Sequence, residues 1–251
     1  MKRGAIIIAN PGEVGTEDYC KGVLEDVEDY QNFLRAAHGG LWENSEIYMP
    51  LIKPSVSEVL KAIDSLKKCD YSLIIYSGHG YLSKNDSSTI LVLSKGEELD
   101  SSRLRNLSNK QTIILDCCRC VAVSPILDEA IIKTAAVLAK LNPQDCQRYY
   151  NDRIEKCKDH LLVLHSCKAG EYSYDSNHRG GCFSNHLLHT ANDWVQKKRN
   201  DVDISKKYSI HSVVEAFSDS EIKVHAETGN RQHPEIFKPR SAPYFPFAVV
   251  A

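Results

Sequence analysis

Two short motifs carry residues that could do chemistry together. The first, Tyr76 to Gly80 (YSGHG), sets His79 between two glycines directly after the apolar run DYSLII. The second, Asp116 to Arg119 (DCCR), sets Cys117 and Cys118 directly after the apolar run TIIL, with Cys118 39 positions after His79. An imidazole beside a thiol is the minimal arrangement for a cysteine nucleophile, because the ring can take the thiol proton and later protonate a departing amine. His79 and one of the two cysteines are therefore a candidate catalytic pair.

The elements that must position this pair alternate between strands and helices, which predicts an α/β fold with a mostly parallel sheet. Apolar runs predict strands at 4–10, 45–51, 71–77, 89–94, 111–118 and 160–167, and an edge strand at 244–250. Periodic apolar residues and capping signals predict helices at 16–37, 55–68, 100–108, 124–141, 143–159, 181–198 and 208–228. In open parallel sheets, reactive side chains gather beyond the carboxyl ends of the strands. His79 and a cysteine should therefore meet if their strands are neighbours.

Length and composition limit the classes of protein. The 251 residues are 42% hydrophobic and 25% charged, with a net charge of −2 and both signs well mixed, which predicts a globular chain with no broad cationic face for nucleic acid. The N-terminal apolar run is too short for a signal peptide or a membrane span. We expect one domain over 1–251 with a helical insertion at about 121–158, in the cytoplasm, without a nucleic-acid or membrane partner.

The cysteines indicate free thiols rather than disulfides. There are nine of them, an odd number at irregular spacing, in a chain too large to need covalent staples. Cys117 and Cys120 form the only close pair with a separation typical of metal ligands, and no second pair completes a tetrahedral metal site. Acidic residues are evenly spread and lack EF-hand spacing, so the sequence does not support calcium activation. We expect no metal and no cofactor.

The two motifs together resemble the caspase-like cysteine peptidases of clan CD, and the metacaspase and prokaryotic-homologue branch more than the animal caspases. Further similarity lies in GVLEDVEDYQNFL near the start, HSCKAGEYSYDS at the end of the strand predicted at 160–167, and GGCFSNHLL at the start of the next helix. The resemblance implies a three-layer sandwich with a central sheet of about six mostly parallel strands flanked by helices. It does not cover the stretch 121–158.

The resemblance also implies roles for individual residues. His79 is the general acid and base, Cys118 is the nucleophile, and the backbone N–H groups of Gly80 and Cys118 form the oxyanion hole. Neighbouring side chains of a strand point to opposite faces, so only one of Cys117 and Cys118 can face His79. The motif register favours Cys118.

The implied substrate pocket is acidic. Asp26 and Asp116 match the two aspartates that line it in metacaspases, and Ser77 and Asp175 are further candidates for substrate binding. Two carboxylates in a narrow pocket favour a guanidinium or ammonium group, which implies cleavage of a protein or peptide after Arg or Lys. The alternative without a role in binding is that Asp26 is a solvated carboxylate on a helix rich in Glu and Asp.

The resemblance further implies a role in regulated cell death or antiviral defence, with an activating or effector protein supplied in trans. The sequence departs from the family after the nucleophile, where CRCV replaces the usual CHSG. Three alternatives therefore stay open: a catalytically inactive interaction module, a peptidase that cleaves after Asp as animal caspases do, and a hydrolase of small amides. The insertion is either a regulatory segment or a helical pair packed on the sheet.

Overall fold

The computed structural model describes residues 1–84, 88–120, 141–176, 179–200 and 207–251. Its strands are β1 (Arg3–Asn10), β2 (Leu51–Ile52), β3 (Tyr71–Gly78), β4 (Gly80–Leu82), β5 (Thr89–Ser94), β6 (Glu97–Asp100), β7 (Lys110–Asp116), β8 (His160–His165), β9 (Asp175–Ser176), β10 (Gly180–Gly181), β11 (Ser209–Ser212), β12 (Glu235–Phe237) and β13 (Pro246–Val250). Its helices are α1 (Gly22–Arg35), α2 (Val56–Leu66), α3 (Pro143–Lys156), α4 (Cys182–Asn200) and α5 (Val213–Thr228), with short 3-10 helices at Ala37–Gly39 and Ser101–Leu104.

A six-stranded sheet in the order β12-β8-β7-β3-β1-β2 forms the centre of the molecule. Within this sheet the neighbouring strands β2, β1, β3, β7 and β8 run parallel, and β12 pairs antiparallel with β8 at the edge. The register sets Ser77 opposite Asp116, and Gly78 opposite Asn10. The carboxyl ends of β1, β3 and β7 therefore lie side by side, with the two candidate motifs at one edge of the sheet.

Different elements cover the two faces of this sheet. Ile6 and Ile8 of β1 pack in a core with α2, β5 and β6, whereas Ala5, Ile7 and Ala9 of the same strand pack in a core with α1, α3, α4 and α5. This alternation follows from the two-residue period of a strand. The predicted α/β sandwich with a mostly parallel six-stranded sheet is confirmed.

Helix α1 begins six residues later than the sequence predicts. The stretch from Thr16 is a loop because its backbone groups bond elsewhere: Cys20 N donates to Pro11 O at 2.8 Å, and the Asp18 carbonyl accepts from the His79 ring. Helix α2 agrees closely with its prediction, and Ser55 and Glu58 form the expected capping box. The predicted start of α1 was wrong because these hydrogen bonds hold the residues before Gly22 in a loop.

Three further predictions need correction. The predicted strand 45–51 reduces to β2 and one isolated bridge between Ala5 and Ile47; Pro50 has no N–H to donate to a ladder. The predicted helix 208–228 divides at Ser212, whose capping box with Glu215 starts α5, and the preceding residues form β11. The terminal strand β13 pairs with β11 in a separate two-stranded sheet rather than at the edge of the central one.

The insertion predicted at about 121–158 falls partly outside the described residues, since 121–140 are not described. The predicted second helix is present as α3, with Asn142 as N-cap and Pro143 in its first turn. Its buried residues Cys146, Tyr150 and Ile154 belong to the larger core. The single-domain assignment with an insertion stays a prediction. No helix in the described part of the chain is long and apolar enough to cross a membrane.

Candidate active site

The end of β3 turns sharply before His79. Gly78 has a φ of +146°, and a Cβ there would lie 2.5 Å from Asn10 O, so only glycine fits between β1 and the turn. The strand thus stops at the edge of the sheet and directs the next residue, His79, into a pocket that it shares with Cys118. The structure brings the two predicted catalytic side chains together in this pocket.

A backbone carbonyl orients the His79 ring. Its Nε2 lies 2.7 Å from Asp18 O. A carbonyl oxygen only accepts hydrogen bonds, so Nε2 carries the hydrogen, and Nδ1 of the neutral ring carries the lone pair. The ring also lies close to Gly12, where a Cβ would be 3.0 Å from Nε2. His79 is therefore held in the tautomer in which Nδ1 can accept a proton.

The thiol of Cys118 lies beyond the end of β7 and is bonded to the backbone of Ser173. The Ser173 N–H donates to Sγ at 3.3 Å, and Sγ lies 3.5 Å from Ser173 O. An N–H donor stabilises the thiolate, which is the nucleophilic form. Cys118 is only 3% exposed, so a substrate must reach the thiol through the pocket.

The neighbouring Cys117 also lines this pocket, but its side chain packs in the apolar core. It belongs to the cluster that contains Tyr76 and Leu91, and burial raises the pKa of its thiol well above the usual range. A thiol in such surroundings stays protonated and unreactive. The contrast between the two cysteines supports Cys118 as the nucleophile.

The backbone of Gly80 is suited to the predicted oxyanion role. Val92 N donates to His79 O at 3.0 Å, which makes Gly80 and Leu91 a non-hydrogen-bonded pair of the β4–β5 ladder. The Gly80 N–H therefore points away from β5. A Cβ at Gly80 would lie 2.8 Å from Cys117 Sγ, so this close approach requires glycine.

Asp26 of α1 lies on the wall of the same pocket and is 2% exposed. Its Oδ2 accepts from Ser77 Oγ at 2.5 Å, and its Oδ1 accepts from Gly181 N at 3.0 Å. Burial raises the pKa of this carboxyl well above its usual range, and the charges of Asp116 and Asp175 raise it further. Asp26 is therefore not a solvated surface carboxylate, and Ser77 acts by holding it.

Asp116 is bonded to the start of α4. Its Oδ2 accepts from Ser184 N at 2.9 Å, where the helix dipole favours negative charge, and its Oδ1 accepts from Ser173 Oγ at 2.6 Å. A Cβ on Gly181 would lie 2.3 Å from Asp116 Oδ2, and one on Gly180 would lie 2.0 Å from Asp26 Oδ1. The Gly-Gly pair lets both carboxylates approach the backbone.

The third carboxylate of the pocket belongs to Asp175. It lies close to Cys20, and burial together with the charge of Asp175 raises the pKa of the Cys20 thiol to about 12. Cys20 is therefore a neutral thiol at physiological pH. All four residues predicted to bind substrate, Ser77 included, line the pocket that contains His79 and Cys118.

Comparison with known proteins identifies the family. The family model for the caspase domain matches residues 2–245. The chain belongs to the caspase domain family. Its fold is similar to the crystal structure of caspase-1 from Spodoptera frugiperda, with a TM-score of 0.58 and 12% sequence identity, over 94% of this chain and 86% of that chain. No curated protein matches the sequence. Membership of the caspase domain family makes the protein a cysteine peptidase by general class.

The turn after the nucleophile differs from the caspase-like pattern named above, and ion pairing accounts for its conformation. Arg119 Nη1 lies 2.7 Å from Glu235 Oε2 and 3.2 Å from Cys167 O. Its backbone N–H donates to Glu171 O at 3.0 Å. Arg119, which follows the nucleophile, thus ties this part of the chain to β12 and to the segment after β8.

Several residues of this caspase-domain site were missed in the sequence. Asp18 acts through its backbone carbonyl. Ser173 acts through its backbone N–H and through a hydroxyl that any serine carries, so the residue type indicates neither role. Gln232 is fully buried and joins Ser166 O to Tyr174 N, which holds the segment that carries Ser173. The adjacent glycines ahead of α4 were a usable signal, because two glycines at a helix start indicate close backbone contact.

Proposed function

We propose that this protein is an endopeptidase that cleaves protein substrates after Arg or Lys, with Cys118 as nucleophile and His79 as acid and base. The observation that carries the proposal is one pocket lined by both catalytic side chains and by the carboxylates of Asp26, Asp116 and Asp175. The proposal places the protein in the metacaspase branch of its family.

The chemistry follows from the orientation of the two side chains. His79 Nδ1 takes the Cys118 thiol proton, and the sulfur attacks the carbonyl carbon of the scissile peptide. The N–H groups of Gly80 and Cys118 stabilise the oxyanion of the tetrahedral intermediate. The C–N bond then breaks, His79 returns the proton to the departing amine, and water hydrolyses the thioester to release the acid and restore the thiol.

The pocket selects the residue before the cut by charge. Burial raises the pKa of Asp26, and the neighbouring charges of Asp116 and Asp175 raise it further. A guanidinium or ammonium group in their midst would offset both effects. A bidentate guanidinium matches such a pocket most closely. None of the described residues that line the pocket is Arg or Lys, which argues against cleavage after Asp.

The biological part of the proposal rests on the family resemblance. A cytoplasmic caspase-like peptidase of this kind would act in regulated cell death or antiviral defence, activated by a protein supplied in trans. The inactive-module alternative has one observation in its favour: the Cys118 thiol is nearly inaccessible and bonded to Ser173. An activating partner that opens the pocket would reconcile this burial with catalysis.

Matched fluorogenic peptides that differ only in ending with Arg, Lys or Asp test the proposal, assayed with wild type and Cys118→Ala, with and without calcium. We expect hydrolysis after Arg or Lys that is lost in the variant. Hydrolysis only after Asp would refute the role of the three aspartates. Hydrolysis that survives in Cys118→Ala would refute the nucleophile.

A further inference from the structure

A group of potential metal ligands lies outside the catalytic pocket, where α4 packs against α5. Cys182 and His186 are four residues apart on α4 and so share one face of the helix. Glu227 reaches them from the last turn of α5. One ligand atom from each of these three residues lies within 4.8 Å of the other two.

The three ligand atoms lie close enough to one another to reach a single ion. His186 Nε2 lies 2.8 Å from Glu227 Oε2, and Cys182 Sγ lies 3.8 Å from Glu227 Oε1. Zn²⁺ is bound by sulfur at about 2.3 Å and by nitrogen or oxygen at about 2.0–2.2 Å. Small side-chain shifts would therefore place all three atoms around one ion.

The chemistry of the three side chains fits a borderline-soft divalent cation. Thiolate, imidazole and carboxylate are the donors that Zn²⁺ takes in proteins. The Glu227 carboxylate already lies between His186 Nε2 and Arg179 Nη2, each 2.8 Å from one of its oxygens. Although the sequence pattern alone predicts no metal site, we propose that Cys182, His186 and Glu227 bind a divalent transition metal such as Zn²⁺.

Binding requires two changes around the ligands. The Cys182 thiol loses its proton to solvent as the sulfur–metal bond forms. The Arg179 guanidinium, whose Nη2 lies 2.8 Å from Glu227 Oε1, gives up that contact to the ion. Arg179 supplies the positive charge beside Glu227 until the metal replaces it. Three protein ligands leave the fourth position to water.

The proposed metal site lies beside the turn at Gly181 and Cys182, which is bonded to the catalytic pocket. Cys182 N donates to Tyr174 O at 2.8 Å, and the preceding residue, Gly181, donates to Asp26. A bound ion would tie α5 to the turn that carries these donors. Metal should therefore stabilise the folded protein, because it binds the folded chain and not the dispersed ligands of the unfolded one.

Titration with Co²⁺ tests the proposal without reference to peptidase activity, because a cobalt–thiolate bond gives a charge-transfer band in the near ultraviolet. The protein carries Cys118→Ala throughout, so that the candidate nucleophile does not compete. Variants Cys182→Ser, His186→Gln and Glu227→Gln remove each ligand in turn. Matched controls are Cys69→Ser, a cysteine of the opposite core, and His189→Gln, another histidine of α4.

We expect a thiolate band that Zn²⁺ displaces, a rise in melting temperature with either metal, and no effect of the two controls. Cys182→Ser should abolish the band, and His186→Gln and Glu227→Gln should each weaken binding by at least about tenfold. A missing band, or a band that persists in Cys182→Ser, would overturn the proposal. If Cys182→Ser does not fold, unchanged affinity in both other ligand variants would overturn it as well.

Discussion

Replacing Asp26 by Asn should change activity and stability in opposite directions. The amide has the shape of the carboxylate and can keep both hydrogen bonds: its oxygen accepts from Gly181 N–H, and its NH₂ donates to Ser77 Oγ, whose hydroxyl can rotate. The substitution therefore removes the ionisable group with little change in packing.

The size of the activity loss follows from one charge-assisted contact to the substrate cation. Such a contact contributes about 1.5–3 kcal/mol, which corresponds to a roughly 10- to 150-fold fall in kcat/KM for Arg and Lys peptides. At neutral pH the Asp26→Asn variant should be more stable to unfolding than the wild type. The raised pKa of Asp26 means that folding favours its protonated form, so the free energy of unfolding falls as the pH rises from the unfolded pKa towards the folded one.

The Asn variant has no carboxyl to ionise, so its free energy of unfolding does not fall in this way. Each kcal/mol of unfolding free energy gained should raise the melting temperature by roughly 2–4 °C at this chain length. Peptide kinetics and thermal unfolding near neutral pH measure the two effects, with Glu28→Gln as control, an exposed acidic residue of the same helix. A variant with unchanged kcat/KM for Arg peptides would refute the role of Asp26. A lower melting temperature would refute the account of carboxylate repulsion.

Two other predictions concern packing and pH. Gly181→Ala should lower the free energy of unfolding by about 1–3 kcal/mol and weaken hydrolysis after Arg, since its Cβ would overlap the Asp116 carboxylate; urea unfolding with unchanged stability would contradict this. Burial lowers the pKa of His38 from 6.5 to about 4, and burial with nearby arginines lowers that of His165 to about 3. Between the folded pKa and about 6.5 the unfolded chain therefore binds more protons, and within that window stability should fall on acidification by up to about 1.4 kcal/mol per pH unit for each histidine. Urea unfolding between neutral pH and pH 5 should show a shallower fall in His38→Gln, and identical slopes would count against this assignment.

The central sheet was predictable because its parallel strands are buried on both faces. The near-continuous apolar runs of β1, β3 and β7 mark such strands, and the polar residues at their ends are where a parallel sheet gathers ligands. His79, Cys118, Asp116 and Asp26 were all identified in this way or by resemblance. Asp175 and Ser77 line the same pocket.

The remaining errors have local physical causes. Strand β12 has three residues, with Phe237 exposed at the edge, so it has no apolar pattern to detect. The residues of β11 run directly into α5, and only the cap at Ser212 separates the two periods. The orienting carbonyl of Asp18 belongs to a loop whose conformation depends on contacts with β1 and His79, which no local propensity encodes.

The most direct test of the catalytic assignment is covalent labelling with an electrophile attached to a peptide that ends in Arg, followed by mass spectrometric identification of the modified residue. We expect label on Cys118 alone, lost in Cys118→Ala and retained in Cys117→Ala, and blocked by an excess of the matching Arg peptide but not by its Asp counterpart. Label on Cys117, or label on Cys118 that the Asp peptide blocks equally well, would contradict an acidic pocket serving the Cys118 thiol.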